Sequence, residues 1–265
     1  MFSHCFLSAE MKYSKVKNEI FLCGATFISH FLRHKCRTTL RMSNMQIREL
    51  HKWNLTPKEA MELQVSLQGR LDIKSPIGIH NVKLIAGCDV AYYMKEDLCV
   101  ASIVVCQIDS MKIVEKIKVE QKATFSYVPG LLSFREIPPL IKAVKKLKIS
   151  PDIFVLDGQG IAHPRGIGLA SHFGLIVNKP TIGCAKSKLI GEYNPMNNNK
   201  GSYSFLYVNN KKVGVVLRSR DNCKPIFISP GHKINIPSAL NIIKRCLSKY
   251  RIPDVIRFAH ILSNK

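Results

Sequence analysis

Short runs of apolar residues, separated by polar turns, follow one another along most of the chain, and their spacing predicts both strands and helices. The first three predicted strands form a meander: Val82–Ala91, Leu98–Ile108 and Lys112–Gln121, the last two joined by a tight turn at Asp109-Ser110. After the meander, strands alternate with helices. This order predicts an α/β fold in which a central mixed β-sheet is flanked by helices.

The other elements are predicted from helical periodicity and from the turn residues at their ends. The clearest helix start is Thr56, a capping residue that is followed by Pro57 and, three residues after the cap, by Glu59. A second hairpin is predicted across Asn209-Asn210. The predicted helices are Leu55–Leu71, Ile137–Leu147, Leu169–Val177 and Pro237–Tyr250. The further predicted strands are Ile153–Leu156, Thr181–Ala185, Ser202–Val208, Val213–Arg218 and Ile226–Ser229.

The composition indicates a folded protein with a polyanionic partner. The chain has 265 residues, of which 46% are hydrophobic, so it can bury the core of one large domain. It carries 40 Lys and Arg against 18 acidic residues, a formal charge of +22. Such a charge favours nucleic acid or an anionic membrane surface, although a basic proteome or solubility alone also produces it. No apolar stretch reaches the ~20 residues of a membrane span, so we expect no membrane partner.

The cysteines and the first 45 residues bear on cellular location. Nine cysteines are scattered, without a CxxC pair or zinc-like spacing, which indicates a reducing compartment, the cytoplasm. Residues 1–45 carry seven Lys or Arg and two acids, with no clear periodicity, which is compatible with a transit peptide and organellar import. We favour a plainer interpretation, an over-long gene model whose true start is Met42 or Met45. The chain is therefore divided into an extension, 1–45, and a domain, 46–265.

Three carboxylates stand beside apolar sequence in a chain that has few acids. Asp89 ends one apolar run, Asp157 follows another, and Glu136 lies between them in sequence. Ligand sites in open α/β sheets gather at the carboxyl ends of strands, where both aspartates are placed. Close carboxylates repel one another unless a divalent cation lies between them, and Mg²⁺ prefers oxygen ligands. Each aspartate alone is more often a turn residue, but the combination with the basic charge predicts a metal-dependent nuclease.

Other polar residues follow in the glycine-rich segment 157–166 and in later turns. The segment starts like a dinucleotide-binding fingerprint, but His163 stands where the third glycine is needed, so that interpretation is weak. Tyr127 precedes a Pro-Gly turn, which presents the ring rigidly and suits insertion into a base stack, although plain hairpins also place tyrosine there. Three further residues, taken singly, are more often structural or solvated than catalytic: His172, Lys186 and His232.

Six segments combine these residues into longer motifs: Ala86–Val90, Tyr127–Glu136, Asp157–Arg165, Ser171–Gly174, Pro180–Lys186 and Ser229–His232. Taken together, these segments resemble the endonuclease V family, which nicks nucleic acid near deaminated adenine. The resemblance runs from about Leu50 to Leu262 and implies an RNase H-like fold. Gln159 stands where many members carry His or Asn, and Cys184 replaces a common valine.

The resemblance also implies roles for individual residues. The metal-binding and catalytic acids would be Asp89, Glu136 and Asp157. His232 would assist at the metal site or position the attacking water, and Lys186 would contact the scissile phosphate. Tyr127 matches the family's wedge, which fills the gap left by the flipped lesion. The hypoxanthine pocket would be lined by Gly130, Leu132, Gly158, Leu169 and Leu189, with His163 and His172 in the same motifs.

The function that this resemblance implies is Mg²⁺-dependent DNA repair, with Mn²⁺ expected to substitute. The enzyme would nick DNA at the second phosphodiester bond 3′ to deoxyinosine and leave the lesion in place, without an obligate protein partner. An endoribonuclease for inosine in RNA is the alternative, and the Tyr-Val-Pro-Gly form of the wedge favours DNA. A catalytically silent nucleic-acid-binding protein would gain nothing from carboxylates facing phosphate. A Holliday-junction resolvase would share the fold but would not need the wedge and base pocket.

Overall fold

The computed structural model describes residues 45–265, so the predictions for residues 1–44 concern a part of the chain outside the described residues. The division of the chain at residue 45 stays a prediction. Most predicted elements are present, with shifted ends. The helices are α1 (Pro57–Gln68), α2 (Leu132–Lys146), α3 (Leu169–Val177), α4 (Ile236–Arg245) and α5 (Asp254–Ser263). The strands are β1 (Leu84–Tyr93), β2 (Leu98–Gln107), β3 (Ile113–Lys122), β4 (Ile153–Leu156), β5 (Thr181–Ala185), β6 (Tyr203–Val208), β7 (Lys211–Leu217) and β8 (Ile226–His232).

All eight strands join one mixed sheet in the order β3-β2-β1-β4-β5-β8-β7-β6. The meander β1-β2-β3 is antiparallel, whereas β1, β4 and β5 run parallel to one another. The strands β8, β7 and β6 then return antiparallel. The predicted central mixed sheet is therefore confirmed, and the carboxyl ends of β4 and β5 meet at one edge.

Helices cover both faces of the sheet, which explains why the central strands read as unbroken apolar runs. Ile85 and Val155 pack on one face with Val255 of α5 and Ile243 of α4. Their neighbours along β1 and β4 point to the other face, where they pack against α2 and α3. None of the helices within residues 45–265 is long and apolar enough to cross a membrane.

Two helices differ from the sequence prediction in ways that affect the site. Helix α2 begins at Leu132, five residues before the predicted start at Ile137, and continues through Pro138 and Pro139. The buried face that Phe134 shares with Ile137 outweighs the lost backbone hydrogen bonds. Helix α5 was not predicted at all, and the helix predicted to reach Tyr250 already ends at Arg245.

Candidate active site

The two predicted aspartates lie side by side where β4 ends. The register of β1 and β4 pairs Cys88 with Leu156, so Asp89 and Asp157 follow at equivalent positions. The Asp157 backbone N–H donates to the Cys88 carbonyl at 3.1 Å. Both carboxylates open into one cavity of about 350 Å³, which Glu136 of α2 also lines. The structure thus brings the three predicted acids together.

Lys186 occupies the same cavity because β5 is the parallel neighbour of β4 and ends beside Asp157. Its Nζ lies 2.5 Å from Asp157 Oδ2. Arg251 holds the backbone here, since its guanidinium donates to the carbonyls of Lys186, of Pro225 at 2.8 Å and of Lys224 at 2.8 Å. The ammonium is therefore placed where a phosphate oxygen can replace the carboxylate of Asp157.

His260 of α5 completes a set of possible metal ligands that the sequence analysis missed. One ligand atom each of Asp89, Asp157 and His260 lies within 4.8 Å of the other two. The imidazole Nδ1 is 3.3 Å from Asp89 Oδ2. The helix that carries His260 was not predicted, so the sequence analysis did not indicate that this histidine lies near the acids. Two carboxylates and an imidazole are donors that divalent cations accept in proteins.

The electrostatics of the acids also fit a cation. Burial raises the pKa of Glu136 to about 8, and the carboxylate of Asp89 adds to the rise, whereas Arg135 opposes it. Burial likewise raises the pKa of Asp157, against the effect of the Lys186 ammonium. Crowded carboxylates with raised pKa values lose their mutual repulsion when a divalent cation binds among them.

His232 lies away from this cluster, which contradicts the prediction that it assists at the metal site. It ends β8, which runs antiparallel to β5, and pairs with Thr181 at the beginning of β5 rather than with the end near Lys186. Its Nδ1 accepts a hydrogen bond from the Asp72 backbone N–H at 3.2 Å. Burial lowers the pKa of His232 to about 4, so the ring is a neutral acceptor that fastens the chain after α1.

A smaller cavity of about 120 Å³ lies next to the acids and is lined by most of the predicted base-pocket residues. Gly158 does not line it but lies beneath it, where an added Cβ would come within 3.1 Å of Leu169 Cδ2. A larger residue at Gly158 would therefore push Leu169 into the cavity. The residues lining the cavity are Gln64, Tyr127, Gly130, Leu132, Ser133, Gln159, His163, Gly168, Leu169 and Leu189.

Three side chains hydrogen-bond the carbonyl of Gly130 and so fix the turn after Tyr127. Gly130 has a φ of +79°, and its carbonyl accepts from Gln64 Nε2 at 3.1 Å, His163 Nε2 at 3.0 Å and Arg165 at 2.8 Å. His163 Nδ1 in turn accepts from the Arg165 backbone N–H at 3.2 Å. Burial lowers the pKa of His163 to about 4, which keeps this tautomer neutral. His163 therefore shapes the pocket wall.

His172 was predicted among the substrate-binding residues, but the structure buries it completely behind the pocket. Its Nδ1 is 3.1 Å from the hydroxyl of Ser133, and its Nε2 is 2.7 Å from Nε2 of His51. The rings of Trp53 and Phe134 enclose it. Burial lowers the pKa of His172 to about 3. It can influence the pocket only by positioning Ser133.

Tyr127 stands at the mouth of the small cavity with 64% of its surface exposed. The guanidinium of Arg135 lies 5.1 Å from its ring centroid and 4.4 Å from that of Tyr92. Arg135 precedes Glu136 on α2, so this stack links the exposed ring to the helix that carries an acid. An exposed aromatic beside a cavity is suited to insertion between bases.

Comparison with known proteins identifies the family. A profile described as Endonuclease V matches residues 65–261. An Endonuclease V from Kosmotoga olearia is 44% identical over 223 residues, which cover 83% of this chain and 96% of that protein.

The chain belongs to the Endonuclease V family.

Solved structures of Endonuclease V share the fold. The Bacillus subtilis protein superposes with a TM-score of 0.79 at 30% identity, covering 83% of this chain and 96% of that one. A Ciona intestinalis Endonuclease V superposes with a TM-score of 0.68 at 30% identity, over 78% of this chain and 95% of that one. That protein was solved in complex with a 24mer DNA containing an inosine followed by a ribo-adenosine. The RNase H-like fold is therefore confirmed, and the chain is an endonuclease.

Ser263 hydrogen-bonds Asp89, one of the predicted metal-binding acids. Its hydroxyl is buried and donates to Asp89 Oδ2, the same oxygen that lies 3.3 Å from His260 Nδ1. Hydrogen bonds behind metal ligands typically contribute roughly 10–100-fold to metal affinity. We expect Ser263→Ala to weaken Mn²⁺ binding, measured by electron paramagnetic resonance, by about tenfold or more. Ser263→Thr keeps the hydroxyl and should restore affinity. Equal affinities in all three proteins would contradict this role.

Glu136 gives the metal-free protein a pH-dependent stability. Its pKa rises from an ordinary 4.5 to about 8, so between about pH 7 and 8 the folded protein holds a proton that the unfolded chain has lost. Stability therefore falls as pH rises through this interval, by up to about 1 kcal/mol. The histidines whose pKa is lowered oppose part of this fall, because they are still partly protonated in the unfolded chain near pH 7, but they do so equally in the wild type and in Glu136→Gln. Urea denaturation in chelator should show a smaller fall for Glu136→Gln, and equal falls would refute the raised pKa.

Proposed function

We propose that this Endonuclease V is a Mg²⁺-dependent DNA-repair enzyme. It nicks DNA at the second phosphodiester bond 3′ to deoxyinosine and leaves the lesion in place. The observation that carries the proposal is the adjacency of an acidic cluster, Asp89, Glu136 and Asp157, to a small cavity with the exposed Tyr127 at its mouth. The inosine-containing DNA bound by the Ciona intestinalis relative supports the same substrate.

The small cavity supports recognition of a flipped base. Its walls combine apolar side chains, Leu132, Leu169 and Leu189, with backbone at Gly130 and Gly168. Apolar walls pack on the faces of a planar base, and backbone groups can hydrogen-bond its edge. The three hydrogen bonds on the Gly130 carbonyl keep this wall rigid before the base arrives. Recognition therefore needs little reorganisation of the protein.

The acid cavity supports phosphodiester hydrolysis. Asp89, Asp157 and His260 would hold Mg²⁺, with Glu136 beside them. When bound there, Mg²⁺ supplies stabilisation of the charge that develops on the scissile phosphate. Lys186 would exchange its ion pair with Asp157 for a phosphate oxygen and so orient the strand. Mn²⁺ is proposed to substitute, since it accepts the same oxygen and imidazole donors.

We place the protein in the cytoplasm, acting without an obligate protein partner. The six cysteines among the described residues are all unpaired, as expected for a reducing compartment. Five of them have thiol pKa values raised by burial and are therefore unreactive core residues: Cys88, Cys99, Cys106, Cys184 and Cys246. The charge of +22 supplies the attraction to nucleic acid.

Mapping the product tests the proposed function. End-labelled oligonucleotides with one inosine, as duplex DNA, single-stranded DNA and RNA, are incubated with Mg²⁺ and their products are sized. We expect one nick, at the second phosphodiester bond 3′ to inosine in DNA, with inosine still present in the product. Faster cleavage of the RNA would replace DNA repair by an endoribonuclease function. A nick at another bond, or loss of the base, would overturn the proposed cleavage chemistry.

A further inference from the structure

We propose that the groove between α1, the loop 161–166 and the β6–β7 hairpin binds the nucleic acid strand on the 5′ side of the inosine. The inference rests on the proposed function, because it needs a strand that is cut on the 3′ side of its flipped base. The groove has a volume of about 730 Å³, within the range of roughly 300–1,000 Å³ that is usual for ligand pockets. It is separate from the acid cavity, with which it shares no lining residue.

The charge of the groove selects a polyanion. Lys74, Arg165, Lys211 and Lys212 line it, and no acidic side chain of the described residues does. All three lysines are exposed, and the Nζ of Lys212 lies 4.2 Å from the centroid of the half-buried Phe205 ring. Ammonium groups on long side chains can follow a flexible backbone. Such an arrangement supplies the counterion release that drives phosphate binding.

The floor of the groove is apolar, which suits a single strand better than a duplex. Leu71, Ile73, Ile190 and Val213 line it between the cationic residues and are half-buried. Apolar side chains can pack against the faces of unpaired bases, while the cations at the rim contact the phosphates. In a duplex the faces of the bases are stacked on one another and cannot pack against this floor.

The path of one chain segment sets the direction of the strand. The segment Asp157–Gly166 begins in the acid cavity at Asp157. It contributes Gln159 and His163 to the base cavity, and Ile161 and His163–Gly166 to the groove, so His163 lines both of these. Along this segment the base cavity therefore comes between the acids and the greater part of the groove. A strand cut 3′ to its flipped base runs from the base cavity to the acids, so its 5′ side leaves toward the groove.

Affinity for substrates of different arm length tests the inference. Single-stranded oligonucleotides of equal length carry inosine near the 5′ end or near the 3′ end, and binding is measured in chelator. Lys211→Gln/Lys212→Gln should weaken binding about tenfold when the 5′ arm is long, and little when it is short. The slope of log affinity against log salt should become less steep by about 1.4 for the long 5′ arm, because each lysine contributes about 0.7 on a single strand.

The matched control removes the same charge elsewhere. Lys145→Gln/Lys146→Gln changes two exposed lysines in the last turn of α2, far along the helix from Glu136. This control variant should change the affinity for the long 5′ arm and for the long 3′ arm by the same factor. If the groove variant also affects both alike, or mainly the long 3′ arm, the inference is overturned. Wild-type cleavage of inosine against adenine substrates in Mg²⁺ reports separately on the proposed function, and no preference for inosine would overturn both.

Discussion

Asp89→Asn and Asp157→Asn are each expected to reduce cleavage of inosine-containing DNA at least about a thousandfold, about 4 kcal/mol of activation free energy. Asparagine keeps the shape of the side chain but removes the negative charge that a divalent cation needs. Binding of the same DNA in chelator should stay largely intact, because neither aspartate lines the base cavity. Single-turnover cleavage and a binding titration measure the two effects.

Asp109→Asn is the matched control for these variants. Asp109 also ends an apolar run, but it lies in the turn between β2 and β3 with an exposed side chain paired only to Arg245. The same chemical change there should leave cleavage unaffected. Near-normal cleavage by either Asp89→Asn or Asp157→Asn would remove these residues from the proposed metal site.

Tyr127→Ala is expected to lower inosine-dependent cleavage of duplex DNA by roughly tenfold or more, about 1.4 kcal/mol. Extruding a base from a duplex costs a few kcal/mol, and an inserted aromatic ring recovers part of that cost. Single-stranded DNA, whose base is already unpaired, should lose less. Because Tyr127 lies outside the acid cavity, the Mg²⁺ dependence should not change. Cleavage rates on matched duplex and single-stranded substrates measure the difference.

Tyr127→Phe separates the ring from its hydroxyl. It keeps the aromatic face that stacks with Arg135 and should cleave the duplex nearly as fast as the wild type. Equal losses by Tyr127→Ala on duplex and single strand would mean that Tyr127 is a structural turn residue rather than a wedge.

The two aspartates could be singled out from the sequence because each follows an apolar run that predicts a strand. The runs do not show that the two strands are parallel neighbours, or that β1 continues past Asp89 to Tyr93. Glu136 was predicted to act with the two aspartates, but the predicted helix began one residue after it, at Ile137. The buried face around Phe134 extends α2 back past Glu136 to Leu132.

The histidines were not predictable in the same way, because their roles depend on strand direction and on tertiary packing. His232 follows a short strand just as the aspartates do, yet β8 runs antiparallel and carries it to the opposite edge. The local sequence pattern of a strand does not show whether it runs parallel or antiparallel to its neighbour. His260 reaches the acids only because α5 packs its Val255 and Ala259 into the core against the sheet.

The central claim is that the acid cluster and the neighbouring base cavity act together as an inosine-directed, metal-dependent nuclease. The most direct measurement compares cleavage of two duplexes that differ only in inosine or adenine at one position, each with Mg²⁺ and with chelator. The account predicts a nick in the inosine duplex with Mg²⁺ and none in the other three reactions. Equal cleavage of both duplexes, or undiminished cleavage in chelator, would contradict it.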